Sequence, residues 1–270
     1  MITREPFDLK KPGGGFSFSS ALYSVFGSVG RAGSITLQAL AFTLPMLLHH
    51  RARQEWVRQM YTMGIKSLPL ISIVGMFTGM ILALQVGLEL RRFSQEVYIG
   101  SAVMVSLLRE MGPFMTGIVL TACVGSSMAA QIGTMTVNEE IAALEVMSIN
   151  PVRFLMAPRM GAIIIMTPLL SFYTCVLGVL GGGLIGMTQL GVPWELYMRT
   201  AMDFADLRDL YVGLLKALVF GITLTGVSCF EGFTTSHGAV GVGQATRRSV
   251  ITSILLILII GYIITRLFYE

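Results

Sequence analysis

Three long stretches of the chain carry no charged residue, at positions 68–88, 161–194 and 249–265. Each approaches or exceeds the roughly 20 apolar residues that cross about 30 Å of hydrocarbon. Two further apolar stretches, at 97–122 and 210–230, hold a few charges but have a similar length. Because lipid cannot satisfy an open backbone, these segments are predicted to be helices. The pattern therefore predicts an all-α membrane protein with five transmembrane helices.

The chain before the first span is broken by helix-disrupting residues. Apolar positions 16–48 are interrupted by Gly27, Gly30, Gly33 and Pro45, which favours an elbow helix at the membrane interface over a span. We therefore divide the chain into residues 1–66, a cytoplasmic N-terminal segment with this interfacial helix, and residues 67–270, which hold the five spans.

The third span is expected to begin near Met160, but the uncharged run that follows is long for one span and its end is not marked. Residues 195–209 carry four acids and two arginines, which is typical of a polar outer loop. Residues 231–248 are predicted to form a loop on the opposite, inner side.

A polar segment after the second span predicts a short helix on the inner side of the membrane, at about 136–150. Thr136 and Glu139 have the spacing of a capping box that would start this helix, and Pro151 would end it. No His or Cys lies near Glu139 and Glu140, so catalysis or metal binding by these acids is disfavoured. A helix with an acidic and apolar face is better suited to docking on a partner.

Composition and charge agree with a bilayer environment. The 270 residues are 54% hydrophobic and 13% charged, with a mean hydropathy of +0.74, so a water-soluble surface cannot be built from them. The net charge of +4 comes from basic residues beside the spans, which is a topology signal and does not indicate a nucleic-acid partner. Their distribution predicts that the N-terminus lies on the inner, cytoplasmic side of the membrane and the C-terminus on the outer side.

Small residues recur at helical spacing in two spans. A four-residue repeat leaves one side of the first span nearly bare, so another helix can approach closely, and a GxxxG pair in the third span favours the same kind of packing. These helix-packing positions are Gly75, Gly79, Ala83 and Gly87 in the first span, and Gly182 and Gly186 in the third.

Two charged residues, Arg109 and Glu110, lie inside the second span, where an ionised group is costly and needs a reason. Neighbouring residues on a helix point about 100° apart, so the two cannot simply neutralise each other. Lys216 in the fourth span is a candidate partner for Glu110, and a lipid phosphate is a candidate partner for Arg109. Structural pairing, or snorkelling from a span end, is the alternative interpretation.

The chain has no phosphate-binding GxxxxGK[ST] motif, so it cannot hydrolyse ATP by itself. Cys123, Cys175 and Cys229 lie in apolar surroundings without metal-ligand spacing, and no metal site is predicted.

Several motifs together resemble the MlaE-type permease family, the membrane subunits of bacterial ABC systems that move phospholipids between the inner and outer membranes. The resemblance covers nearly the whole chain. It rests on residues 30–33 (GRAG), 79–82 (GMIL) with Gln85, 106–113 (SLLREMGP), 132–135 (IGTM), 139–141 (EEI) to Pro151, Lys216, and 243–246 (GQAT).

The resemblance implies a homodimer with a central lipid cavity that opens outward. Leu82, Gln85, Phe93, Arg109 and Glu110 fall where the family lines that cavity. The inner helix would be a coupling helix seated on a cytoplasmic ABC ATPase, which binds the ATP and Mg²⁺, so this chain needs no cofactor of its own. Its expected contact residues are Glu139, Glu140, Ile141, Leu144 and Met147.

The resemblance further implies a place in the bacterial inner membrane and two more partners. One is a periplasmic MCE-domain protein that carries lipid onward, and the other is a small STAS-domain protein on the ATPase. The chain departs from the family at Cys123, often Arg, and at Gln131, often Glu. Their joint loss suggests that the two charges normally pair with each other for structural reasons.

Two alternatives stay open from the sequence. A permease for another hydrophobic lipid, such as a sterol or a glycolipid, has the same sequence features. An integral-membrane lipid enzyme would need Arg109, Glu110, Glu139 and Glu140 to converge at one membrane depth, and the predicted topology separates them.

Overall fold

The structure, a computed structural model, describes residues 30–43 and 50–270. Within these ranges every regular element is helical. Residues 30–43 form α1, and the numbered helices that follow are α2 His50–Met63, α3 Leu68–Arg92, α4 Ile99–Ser106, α5 Gly112–Leu120, α6 Ser126–Val137, α7 Glu140–Val146, α8 Ala157–Thr188, α9 Trp194–Asp203, α10 Leu207–Phe233 and α11 Gly238–Tyr269.

Five helical stretches of this part of the chain are long and apolar enough to cross a membrane, as the sequence predicted. Short π-helical turns at Leu107–Met111 and Thr121–Gly125 join α4, α5 and α6 into one stretch, and a third at Val152–Met156 precedes α8. The five stretches are Gln54–Arg92, Glu96–Val137, Val152–Thr188, Leu207–Phe233 and Gly238–Tyr269.

The second stretch runs about 15 residues beyond its predicted end. Its last part is rich in hydroxyl side chains, which look polar in the sequence but bond to carbonyls one turn earlier on the same helix. Thr134 Oγ1 donates to Ala130 O at 2.8 Å and Thr136 Oγ1 to Ile132 O at 2.9 Å. Because their hydrogen bonds are made locally, these residues continue the helix and do not interrupt it.

Two predicted boundaries later in the chain, after Met160, also differ in the structure. The uncharged run after Met160 forms one continuous helix, α8, that ends at Thr188. The expected outer loop 195–209 is mostly the amphipathic helix α9, held by Tyr197, which is completely buried and donates its hydroxyl to Val179 O at 3.1 Å. Burial raises the pKa of Tyr197, so the donor stays protonated.

Helices α3 and α8 pack closely against each other, and glycine makes this possible. A Cβ at Gly79 would lie 1.8 Å from the Gly178 carbonyl oxygen, and one at Gly75 would lie 3.2 Å from Thr174. Gly182 and Gly186 face the buried Tyr197 ring and hydroxyl, and Gly182 also meets the Gly79 carbonyl. The small residues therefore set the spacing of α3, α8 and α9.

Helices α10 and α11 complete the bundle against α5, α6 and α8. Hydroxyl pairs also join helices within the bundle: Thr116 of α5 with Thr174 of α8 at 2.8 Å, and Ser249 of α11 with Ser228 of α10 at 2.9 Å. Such bonds satisfy polar groups that lipid would leave unpaired.

Helix α1 packs on the bundle, with Ile35 and Ala39 buried and Thr36 against Gly226 of α10. This position lies within the predicted elbow, 16–48. The rest of that elbow and the polar N-terminus lie outside the described residues.

The predicted inner helix is shorter than expected, because the capping box at Thr136 does not form. Thr136 lies inside α6 and bonds to Ile132 O and Gly232 O. Glu139 adopts a left-handed conformation with φ of 60°, and α7 begins only at Glu140 and ends at Val146. Pro151 does not end it. A left-handed Ser148 ends the turn, and Asn150 Oδ1 then caps the next helical segment by accepting from Val152 N at 2.9 Å.

Candidate functional site

The two charged residues of the second span lie in the π-helical turn Leu107–Met111. Pro113 follows at the position whose backbone N–H would bond to the Arg109 carbonyl in an α-helix, and proline has none to give. Lys216 Nζ of α10 donates to that carbonyl instead, at 2.8 Å. The irregular turn is therefore stabilised by a side chain more than 100 residues away, which is typical of a functional position.

Lys216 also holds Glu110, the partner predicted for it from the sequence. Its ammonium donates to Glu110 Oε1 at 2.5 Å and to Thr265 Oγ1 at 2.7 Å, and the Thr265 hydroxyl lies 2.6 Å from the same carboxylate oxygen. With the Arg109 carbonyl, all three ammonium hydrogens have an acceptor. A lysine with no exposed surface is tolerated here because its charge is paired and its donors are satisfied.

Arg109 has a protein partner that the sequence analysis missed. Its Nε donates to Asp209 Oδ2 at 2.7 Å, and the Tyr269 hydroxyl donates to Asp209 Oδ1 at 2.8 Å. The Arg109 guanidinium also lies over the Tyr269 ring, 4.6 Å from its centroid. Asp209 is the last residue of the predicted outer loop 195–209, but it belongs to the first turn of α10 and is buried.

In each of the two ion pairs, one side chain is buried and the other is partly exposed. The side chains of Asp209 and Lys216 are 2% and 1% exposed, whereas those of Arg109 and Glu110 are 42% and 41% exposed. A buried charge on α10 thus anchors each charge on the second span, and the second-span charge faces outward. The arrangement is a charged surface patch on a rigid, buried support.

Both outward groups keep unused hydrogen-bonding capacity. Within the described chain, only Nε of Arg109 has a hydrogen-bond acceptor, so the Nη1 and Nη2 edge is free. Glu110 accepts hydrogen bonds from the described residues only through Oε1. The free guanidinium edge has the geometry that binds phosphate or carboxylate through two parallel bonds.

The other cavity residues taken from the family resemblance lie on or beside α3. Leu82 is half-buried and packs against the apolar cluster that includes Leu107, whereas Gln85 and Phe93 are exposed. In the part of the chain covered by the structure, no hydrogen bond joins Gln85 to Arg109 or Glu110. The single chain therefore brings the two charges together, and of the α3 residues only Leu82 is packed against the cluster beside them.

The expected docking residues of α7 divide into two sides. Ile141 and Leu144 pack against the apolar core of this chain. Glu139 and Glu140 are exposed, as are Val146, at 86%, and Met147, at 61%. The outward apolar surface of this region is therefore at the end of α7, and the Ile141 side anchors the helix to the bundle.

The acidic residues of α7 do not converge with the charged patch. A continuous helical stretch from Glu110 to Val137 separates them by about 40 Å at 1.5 Å per residue. This geometry disfavours an enzyme that uses both sets of carboxylates. Across residues 30–43 and 50–270, no three His, Cys, Asp or Glu side chains lie close enough together to hold a metal ion.

The two positions that depart from the family pattern do not form a contact pair. Gln131 Oε1 accepts from Arg159 Nη2 of α8 at 3.3 Å, and Gln131 Nε2 donates to Ser127. Cys123 is exposed, two turns away on the same helix. The expected pairing of charges at 123 and 131 stays a prediction, because this chain carries neither charge; the cation opposite residue 131 here is Arg159.

Comparison with known proteins gives one consistent family. The family model for permease MlaE matches residues 56–267. A probable ABC transporter permease protein of Rickettsia typhi is 40% identical over 214 residues, covering 79% of this chain and 83% of the relative. A second, from Rickettsia conorii, is 36% identical over 257 residues, covering 92% and 99%. The intermembrane phospholipid transport system permease protein MlaE of Haemophilus influenzae is 34% identical over 248 residues, covering 90% and 93%.

Proposed function

This chain belongs to the MlaE permease family and is a permease subunit of an ABC transporter, and we propose that it moves phospholipids between the inner and outer membranes of a bacterium. The name of the Haemophilus influenzae relative supports this substrate. The observation that carries the proposal is the outward-facing Arg109 and Glu110, each anchored by a buried partner on α10.

The headgroup of a phospholipid matches the chemistry of this patch. The free Nη1 and Nη2 edge of Arg109 takes the phosphate through two parallel hydrogen bonds, while Asp209 and Tyr269 hold the guanidinium in place. Because these partners are already ordered, little side-chain freedom is lost when the lipid binds. Leu82, Gln85 and Phe93 of α3 then line the path of the acyl chains in a homodimer cavity.

Energy comes from a separate ABC ATPase that binds ATP and Mg²⁺ and docks on α7. The exposed Val146 and Met147, with Glu139 and Glu140 beside them, form the docking surface, and Ile141 and Leu144 transmit its movement to the bundle. Closure of two ATPase subunits would bring the two coupling helices together, narrow the central cavity and expel the lipid. A periplasmic MCE-domain protein takes up or supplies that lipid, and a small STAS-domain protein sits on the ATPase.

Replacing Arg109 with Ala tests the proposal directly. The variant loses the free guanidinium edge, so co-purified phospholipid, identified by mass spectrometry after purification of the complex with its ATPase, should fall at least several-fold. ATP-driven lipid transfer between vesicles should fall with it.

Arg266→Ala is the matched control, because Arg266 lies at the same end of α11 as Tyr269 but is exposed, and among the described residues its side chain bonds only to Glu270. This variant should keep wild-type lipid and transfer. Unchanged lipid occupancy and transfer in Arg109→Ala would remove Arg109 from the mechanism. A sterol or glycolipid in place of phospholipid in the wild-type complex would reassign the substrate.

A further inference from the structure

A second arginine inside a span, Arg159, has no counter-ion in the described part of the chain. Its residue is 8% exposed, and Nη1 donates to Leu155 O at 2.8 Å, one turn back on the same helix. Among the described residues, Nη2 reaches only the neutral Gln131 Oε1, at 3.3 Å, and the buried Nε has no hydrogen-bond partner. A buried guanidinium with two neutral acceptors and one empty donor is costly unless an anion approaches it.

The surroundings show from which side an anion can arrive. Gln131, whose side-chain oxygen accepts from the guanidinium, is exposed, and its bond to Arg159 is long. The same face of α6 exposes Ser127 and Thr134, whose hydroxyls lie one turn on either side of Gln131. Rotation of this exposed amide would therefore free Nη2 of Arg159, beside the unpartnered Nε, for a ligand on the Gln131 side.

The depth of Arg159 in the membrane identifies the available anion. The third helical stretch has 37 residues, or about 55 Å, against a hydrocarbon core of about 30 Å. If the excess is shared between the two ends, Arg159, seven residues after Val152, lies near the boundary of the hydrocarbon. That is the level of the lipid phosphates, on the membrane face where α7 lies.

We propose that Arg159 binds the phosphate of a membrane lipid, which replaces the side-chain oxygen of Gln131. The geometry suits the ligand, because Nε and Nη2 form a guanidinium edge that bonds two phosphate oxygens in parallel. The two arginine sites are distinct. Gln131 follows Arg109 by 22 residues on one continuous helical stretch, or about 33 Å, so one headgroup cannot occupy both.

The test uses the full chain purified with its ATPase and reconstituted with phosphatidylglycerol. Native mass spectrometry should count one fewer phosphatidylglycerol per chain in Arg159→Met than in the wild type. Arg109→Ala should keep the molecule that Arg159→Met loses, so failure of this site and failure of the transport site give different patterns. Phosphatidylglycerol should also raise the thermal midpoint of the wild type, whereas a diacylglycerol galactolipid without phosphate should not.

Gln131→Glu covers the case in which Arg159→Met fails to fold, because it keeps the arginine and supplies a carboxylate in place of the ligand. This variant should have a higher thermal midpoint without lipid and a much smaller rise with phosphatidylglycerol. Gln95→Glu adds the same charge at an exposed turn far from Arg159 and should behave like the wild type.

Two results would overturn the proposal. One is a wild-type phosphatidylglycerol count in both Arg159→Met and Gln131→Glu. The other is equal protection of the wild type by inorganic phosphate alone, which would make the ligand a free anion and not a lipid.

Discussion

Lys216 connects the backbone and the charges of the candidate site. One ammonium group donates to the Arg109 carbonyl, to Glu110 and to Thr265, so it stabilises the π-helical turn and the ion pair together. Pro113 lacks the backbone N–H that would bond to the Arg109 carbonyl in an α-helix, and the Lys216 ammonium replaces that donor.

Lys216→Met should therefore destabilise the protein and disturb the turn. Removing one partner of a buried pair costs about 3–5 kcal/mol, and we expect about 2–3 kcal/mol here, because Glu110 is partly exposed and can be solvated. The measurement is the unfolding free energy in detergent by chemical denaturation.

The double variant Glu110→Gln with Lys216→Met should recover part of that loss, because it leaves no unpaired charge. Additive losses in the two single variants and the double variant would show that Lys216 and Glu110 are not coupled.

The position of a whole helix, α10, depends on a close backbone contact with the same π-helical turn. Gly213 of α10 lies against the irregular turn, and a Cβ there would be 2.2 Å from the Leu108 carbonyl oxygen. Because the Leu108 carbonyl belongs to the backbone, it cannot rotate away as a side chain can. The whole of α10 would therefore have to move to make room for a Cβ at position 213. Asp209 and Lys216, on the same helix, would move with it.

Gly213→Ala should lower stability by about 1–3 kcal/mol, the usual cost of overpacking, and should reduce lipid transfer by displacing both anchors. Gly243→Ala is the control, because its Cβ would meet nothing within 4 Å on α11. That change should raise stability by about 0.5–1 kcal/mol through helix propensity. Equal thermal midpoints for the two variants would mean that α10 is free to shift.

The molecule as a whole presents the end of α7 at one face of the membrane and the turn after α3 at the other. Both faces carry exposed residues that have no packing role in a single chain, such as Val146 and Phe93. A docking partner at the α7 face is the simplest reason for an apolar residue that is 86% exposed outside the spans.

Val146→Asp should therefore leave the thermal midpoint of the isolated chain unchanged but reduce co-purification of the ATPase by several-fold. Val240→Asp places the same charge at another exposed valine, at the start of α11 on the same face. It should retain the ATPase. Full ATPase recovery with Val146→Asp would place the docking surface elsewhere.

The proposed orientation, with α7 in the cytoplasm, can be tested by cysteine labelling in intact cells. In a Cys123→Ser background, Ser94→Cys should react with a membrane-impermeant maleimide, because Ser94 is exposed in the turn after α3. Ser148→Cys, which is exposed just after α7, should react only after the membrane is opened. The reverse pattern would invert the topology.

The sequence alone was sufficient for the helical class, the five spans and the charged pair that needed partners. These properties follow from local composition, because the energy of moving a residue into lipid depends mainly on the residue itself. The resemblance to the permease family was likewise visible in short motifs, and the family model confirms it.

Only the tertiary structure decided which groups meet. Asp209 and Tyr269 lie 100 and 160 residues from Arg109, and nothing in the local pattern links them. The sequence predicts a loop at Asp209, because the polar residues before it do not mark the start of α10. The sequence also does not indicate the length of α7, or that Arg159 has no counter-ion among the described residues. Each depends on contacts between distant segments, such as Thr136 with Gly232 and Arg159 with Gln131, that form only when the helices pack.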